Sequence, residues 1–191
     1  MSRNLAALSV RTPGTFFRLS RKDAPLEDWK KQSHARFSGL DLPLATIYCS
    51  ESKETCFWEI FGDELISQIP TLRRINATIL KDLVWKTITI PPRQPLACID
   101  LTNSKTLRAI GADGSTFLSG YPVTQAWAKV FMEHPDKIDG LIYTSRLDTP
   151  TRNLAIFNRQ QPQLRAAIQG PALDDLELQH FLLKEGIALK L

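Results

Sequence analysis

A chain of 191 residues with 43% hydrophobic and 23% charged side chains is large enough to bury a core and shows no compositional sign of wholesale disorder. The net charge of +4 fits a phosphate-bearing ligand as well as an ordinary surface. The basic residues are dispersed in short pairs such as Lys30-Lys31 and Arg73-Arg74. That leaves no stripe to grip a nucleic-acid backbone, and no direct nucleic-acid partner is expected.

The first residues lack a secretory pattern, because the apolar run Leu5 to Leu8 is short and Arg11 interrupts it. No segment approaches the roughly 18 apolar residues that span a bilayer, so no membrane partner and a cytoplasmic location are expected. Cys49, Cys56 and Cys98 are scattered without CxxC or paired-histidine spacing, which argues against a disulfide framework or a metal site. With no repeat and no long linker, residues 1–191 read as a single domain.

Residues 1–13 read as a loosely held lead-in. The turn Pro13-Gly14 then precedes a predicted strand, Thr15 to Leu19. The stretch to about residue 44 carries Pro25, Gly39 and Pro43 and reads as loop, with one short helix around Leu26 to Lys31. Ala45 to Cys49 is a compact apolar strand. Ser50 follows as a predicted N-cap, with Glu51 in a first turn where the helix dipole favours an acid. The predicted helix beyond it carries Thr55, Glu59 and Gly62-Asp63 at helical spacing.

Val84 to Ile90 alternates as a strand with one partly exposed face, ended by Pro91-Pro92. Leu96 to Leu101 is a further strand, and Ser104 is a predicted cap for a short helix to Ile110. Ala126, Trp127, Val130 and Phe131 give Thr124 to Glu133 a helical period, which His134-Pro135 stops. Ile138 to Tyr143 and Leu154 to Phe157 are short strands flanking a polar loop. Asp174 to Lys184 is an amphipathic helix closed by Gly186 before an apolar tail. The elements lack the regular alternation of a doubly wound sheet, so the expected class is α+β with a mixed, mostly antiparallel sheet.

The usual phosphate cradles are missing: there is no GxGxxG after a strand and no GxxxxGK[ST]. No GxSxG elbow exists, and His34, His134 and His180 give a serine triad little support. Three phrases carry the chemistry instead. Arg36-Phe37 stands ahead of the strand ending in Tyr48; Glu59 follows Trp58 on the next helix; Ser145 ends Ile142-Tyr143-Thr144-Ser145, with Arg152-Asn153-Leu154-Ala155-Ile156-Phe157 shortly after. An arginine, a glutamate and a serine in this order and context resemble the RES family, named for those residue types. The resemblance runs from about Phe16 to Phe157 and includes Tyr121 to Ala128.

What the resemblance implies is a fold similar to ADP-ribosyltransferase toxins and an enzyme that consumes NAD, often as a bacterial toxin neutralised by a helical antitoxin. It places Arg18 and Arg36 on the diphosphate and Tyr48 against the nicotinamide ring. Glu59 would attend the ribose, and Ser145 would hold a ribose hydroxyl or the carboxylate. On this reading Arg36, Glu59 and Ser145 are the catalytic residues. Arg18, Arg36, Tyr48 and Ser145 bind NAD, which enters as substrate, with no further cofactor and no metal. Bidentate guanidinium donors suit a diphosphate, and a fixed carboxylate suits an oxocarbenium-like ribose.

The family phrase usually has Gly before the Arg-aromatic pair and Trp after the arginine, where this chain has Ala35 and Phe37. Ala35 is expected to restrict a backbone that Gly would leave free. Cys56-Phe57-Trp58 is bulkier than the small residues common on the family helix. Hydrolysis, phosphorolysis and protein ADP-ribosylation all suit the same residues, as does a non-catalytic module that binds NAD or an antitoxin.

Overall fold

A computed structural model describes residues 4–148, 151–159 and 164–190. The outermost parts of the predicted lead-in and tail (residues 1–3 and 191) and part of the polar loop (149–150) lie outside the described residues. The class is α+β. An eight-stranded sheet has the order β1 (Ser9–Thr12), β6 (Leu96–Asp100), β7 (Gly140–Thr144), β8 (Arg152–Phe157), β3 (Thr46–Ser50), β2 (Gly14–Arg21), β5 (Leu83–Ile90), β9 (Arg165–Pro171). Its pairings are antiparallel except β6 with β7, which are parallel. A parallel pair needs a long crossover, here supplied by α3 (Ser104–Ile110) and α4 (Tyr121–Glu133). A second, two-stranded sheet joins β4 (Arg74–Asn76) to β10 (Ala188–Lys190), and the helices α1 (Lys53–Ile66), α2 (Ala77–Lys81) and α5 (Leu176–Lys184) complete the fold.

Three apolar clusters organise these elements. One joins Phe37, Phe117, Phe131, Leu141, Tyr143 and Phe157 under α3 and α4. A second packs Phe57, Phe61 and Leu65 of α1 against Trp85, Phe181 and Leu182. The third, with Ile47, Ile88, Leu154 and Ile156, fills the opposite face of the sheet. Phe57 is fully buried against the rings of Phe61 and Phe181 at 4.9 and 5.4 Å, so the bulk of the Cys56-Phe57 pair goes into core.

The strand pairing is uneven in a way that matters. β2 pairs with β5 along its full length, from Gly14↔Ile90 to Arg21↔Leu83. β3 pairs with β8 from Thr46↔Phe157 to Ser50↔Asn153. Between β2 and β3 the ladder registers a single pair, Phe17↔Ser50. The two strands part beyond it, and a cleft opens in the sheet.

Several local expectations are corrected. The lead-in is not loose throughout: Leu5 is buried and Ser9–Thr12 pairs as an edge strand on β6. No helix forms over 26–31, because its backbone is claimed from afar. Arg18 Nη2 reaches the Asp28 carbonyl at 3.4 Å and Lys30 forms a bridge with Thr46, while just before the segment Lys86 Nζ donates to the carbonyls of Ala24 and Pro25 at 2.9 Å each. Ser50 is still held in the β3 ladder, so α1 is capped by Ser52, whose Oγ accepts from the Thr55 N–H. Glu54, not Glu51, is the acid of its first turn. Asn103 rather than Ser104 caps α3, accepting from the N–H groups of Lys105 and Thr106. The expected exposed face of β5 is buried, since β2 and β9 flank the strand and apolar clusters cover both sides.

Candidate active site

The cleft has a volume of about 390 Å³. Its walls come from β2, the 28–36 segment, β3, α1 and the ends of β7 and β8. Arg18, Arg36, Tyr48 and Glu59 all line it, although they lie far apart in the chain. Ser145 does not stand among its lining residues.

Arg18 projects from β2 into the split. Its Nη1 donates to the Tyr48 carbonyl at 2.8 Å, and Nη2 pairs with the Asp28 carboxylate at 3.5 Å and with the Asp28 carbonyl at 3.4 Å. The same carboxylate oxygen meets Lys30 Nζ at 2.7 Å. Arg18 thereby bridges the gap that the missing β2–β3 ladder leaves.

Arg36 is anchored by its neighbour. Phe37 is fully buried against Tyr143 at 5.0 Å and Phe117 at 6.2 Å, and its N–H donates to the Tyr48 hydroxyl at 2.9 Å. The guanidinium then lies over the Tyr143 ring, 4.6 Å from its centre, a geometry that favours a cation on the ring face. Nη1 donates to the Thr144 carbonyl at 3.4 Å, and Nη2 reaches both Glu59 oxygens at 3.4 and 3.5 Å. These bonds are long, so the guanidinium keeps donor capacity for another acceptor. Gln125 of α4 steadies this loop by donating to the carbonyls of Ser33 and Ala35 at 2.9 and 3.0 Å. Ala35 carries no strain, since Lys137 is the sole positive-φ residue other than glycine among the described residues.

Tyr48 presents its ring to the cleft while its hydroxyl is committed to Phe37, and burial pushes its pKa up. Tyr143 is raised likewise by burial. Both phenols stay protonated near neutrality and act as flat walls, not as bases. Glu59 sits on the cleft-facing side of α1 beside Trp58, with its side chain 30% exposed, as a carboxylate that must meet solvent or ligand requires.

Ser145 is fully buried just after β7. Its Oγ accepts from the N–H groups of Leu147 at 3.1 Å and Asp148 at 3.3 Å, a side-chain turn that folds the following loop toward α1. Asp148 in turn accepts from the Thr55 hydroxyl at the start of α1. Gly62 makes room on the helix for this loop, because a Cβ there would stand 2.1 Å from a Leu147 methyl. Ser145 thus shapes the wall of the cleft from behind.

The cleft also holds residues that sequence reasoning did not single out: Asp28, Lys30, Tyr143, Arg146 and Asn153. Arg146 pairs with Asp63 at 3.2 Å in an exposed bridge at the rim. Among the described residues, no three His, Cys, Asp or Glu stand together so as to hold a metal ion, and no helix is long and apolar enough to cross a membrane.

The RES domain model matches residues 15–179. The chain belongs to the RES domain family. A curated relative, "Probable toxin y4kH" of Sinorhizobium fredii (strain NBRC 101917 / NGR234), is 33% identical over 81 residues, spanning 42% of this chain and 63% of that protein. Among solved structures, the M. tuberculosis MbcT–MbcA toxin–antitoxin complex contains a chain of similar fold, with a TM-score of 0.59 at 17% identity. The match covers 86% of this RES chain and 88% of the other.

Proposed function

We propose that this RES protein is a toxin that consumes NAD by breaking its nicotinamide–ribose bond. The observation that carries the reading is the convergence of Arg36, Glu59 and the Tyr48 and Tyr143 rings in one cleft, with Arg18 behind them. Arg36 meets the diphosphate, and the aromatic walls receive the pyridinium ring. Glu59 accepts from a ribose hydroxyl and stabilises the cation that develops at the anomeric carbon. When the bond breaks, its electron pair goes to the pyridinium nitrogen and nicotinamide leaves neutral. A water or phosphate oxygen then bonds to the anomeric carbon and releases a proton to solvent. Membership of the RES family and the likeness to a probable toxin support the toxin role. A helical antitoxin that covers the cleft is the partner such a toxin needs, and the cytoplasm, where NAD is abundant, is where it acts.

The test is nicotinamide release from NAD by the purified protein, with and without phosphate, beside Glu59→Gln. Replacing the carboxylate is expected to lower turnover by about 10²–10³-fold, the scale of losing one preorganised electrostatic group. Because Glu59 is a partly exposed side chain with only long bonds to Arg36, stability should hardly change. A phosphate requirement would make the enzyme a phosphorylase. Full turnover by Glu59→Gln would remove the assignment.

A further inference from the structure

Asn153 stands in β8 opposite Tyr143 of β7 and Ser50 of β3, at the point where β2 and β3 part. Its side chain lines the cleft but is only 1% exposed, and its Nδ2 has no hydrogen-bond partner among the described residues. An amide donor left unsatisfied in a protein interior is costly, because its lost hydration is not repaid. Its neighbours do not relieve it. Ser50 Oγ already donates to the Arg152 carbonyl at 3.3 Å and accepts from the Ser52 N–H at 3.5 Å. The guanidinium on the Tyr143 ring is a donor only and cannot accept from Nδ2. The protein thus leaves this donor of a cleft-lining side chain unpaired.

The next step rests on the NAD reading above. In the reactive half of that substrate, the diphosphate is matched by Arg36 and the ribose by Glu59. One polar group remains unmatched, the carboxamide of the nicotinamide ring. Three buried wall groups among the described residues are unpaired, Arg18 Nε, Ser20 Oγ and Asn153 Nδ2, and of these only Asn153 stands opposite Tyr143, one of the rings that would receive the pyridinium. A neutral amide suits a neutral amide, since neither brings a charge that would have to be desolvated at a buried position. A carboxamide also offers a carbonyl acceptor to Nδ2 and an NH2 donor to Oδ1, so the two groups can pair reciprocally. We infer that Asn153 reads the nicotinamide carboxamide, donating from Nδ2 to its carbonyl oxygen and holding the leaving group at the floor of the cleft. It is a specificity residue: it selects the base that leaves and fixes the plane in which it does so.

The experiment compares two ligands that differ by the nicotinamide group. NAD and ADP-ribose are titrated calorimetrically into Glu59→Gln protein, which slows turnover, and into the same protein carrying Asn153→Leu or Asn153→Asp. Both added substitutions remove the amide donor, and the aspartate keeps the shape in case leucine disturbs the strand. NAD should bind at least ~10-fold more weakly to both, the loss of about one buried hydrogen bond, while ADP-ribose changes by less than ~2-fold. Equal weakening of both ligands would reduce Asn153 to a structural role, and unchanged NAD affinity would remove it from the site. If neither ligand binds while Asn153 is intact, the NAD reading itself has failed and this assignment falls with it.

Discussion

Arg18 and Arg36 enter the same cleft and are held in opposite ways. Arg18 is tied by a 2.8 Å bond to a strand carbonyl and by a carboxylate that is itself almost buried, in a place where two strands have no ladder between them. Arg36 rests on an aromatic face and touches Glu59 and Thr144 through bonds of 3.4–3.5 Å. The first arginine replaces missing backbone hydrogen bonds. The second is placed but not consumed. Family resemblance gives the two residues one role, whereas their surroundings separate a structural tie from a guanidinium with donor capacity to spare.

That separation breaks most visibly at Arg18. Arg18→Met leaves the Tyr48 carbonyl without its donor and Asp28 with Lys30 as its remaining cation, and should cost roughly 1–3 kcal/mol of stability, the range for a buried polar group left unsatisfied. Adding Asp28→Asn should recover part of the loss; a denaturation midpoint unmoved by Arg18→Met would show that the bridge is not structural. Arg36→Lys keeps the charge but loses the planar fork and the ring contact. It should weaken NAD about tenfold, or about 1.4 kcal/mol, with much less effect on the melting temperature. A larger loss of stability than of affinity would reverse the distinction.

Alkaline pH sharpens it further. Cys49 and Cys56 lie on the Arg18 side, and burial drives both thiols up, Cys56 to about 12; Cys98, within β6, rises to about 12 as well. Folded thiols thus keep protons that unfolded ones release above about 9.0. Their contribution to stability is intact below that value and declines as pH rises beyond it. Denaturant midpoints measured between pH 7 and 10 should fall only at the alkaline end. Iodoacetamide at pH 8 should label the thiols no faster than the chain unfolds, and rapid labelling of native protein would mean that the Arg18 side is wet.

Much of the sheet was legible because β3, β6 and β7 are short apolar runs and β2 and β5 carry strand-forming residues between turn signals. β9 was not: Arg165–Pro171 is mostly exposed, ends in Gly170-Pro171 and shows no alternation, as an edge strand permits. β4, β10 and α2 are three to five residues long, too short for any period to register. Arg36 and Glu59 could be found from their order within a family pattern. Asp28 could not, since the 26–31 segment takes its shape from Lys86, Arg18 and Thr46, all distant in sequence. Asn153 lies in the run Arg152 to Phe157, but only the register Ser50↔Asn153↔Tyr143 brings it to the cleft wall.

The strand order also sets a timetable for the newly made chain. β3 has two neighbours in the sheet: β2, through one registered pair, and β8, which is synthesised about a hundred residues later, as the 101-residue separation of Glu51 and Arg152 illustrates. Until β8 leaves the ribosome, Tyr48 and Arg36 have no firm strand behind them, and Arg36 lacks the Thr144 carbonyl 108 residues downstream. Such distant pairings close slowly because loop entropy is lost before any contact repays it. A growing chain therefore lacks the cleft, and on the proposed toxin reading an antitoxin in the same cell can meet it before the cleft exists.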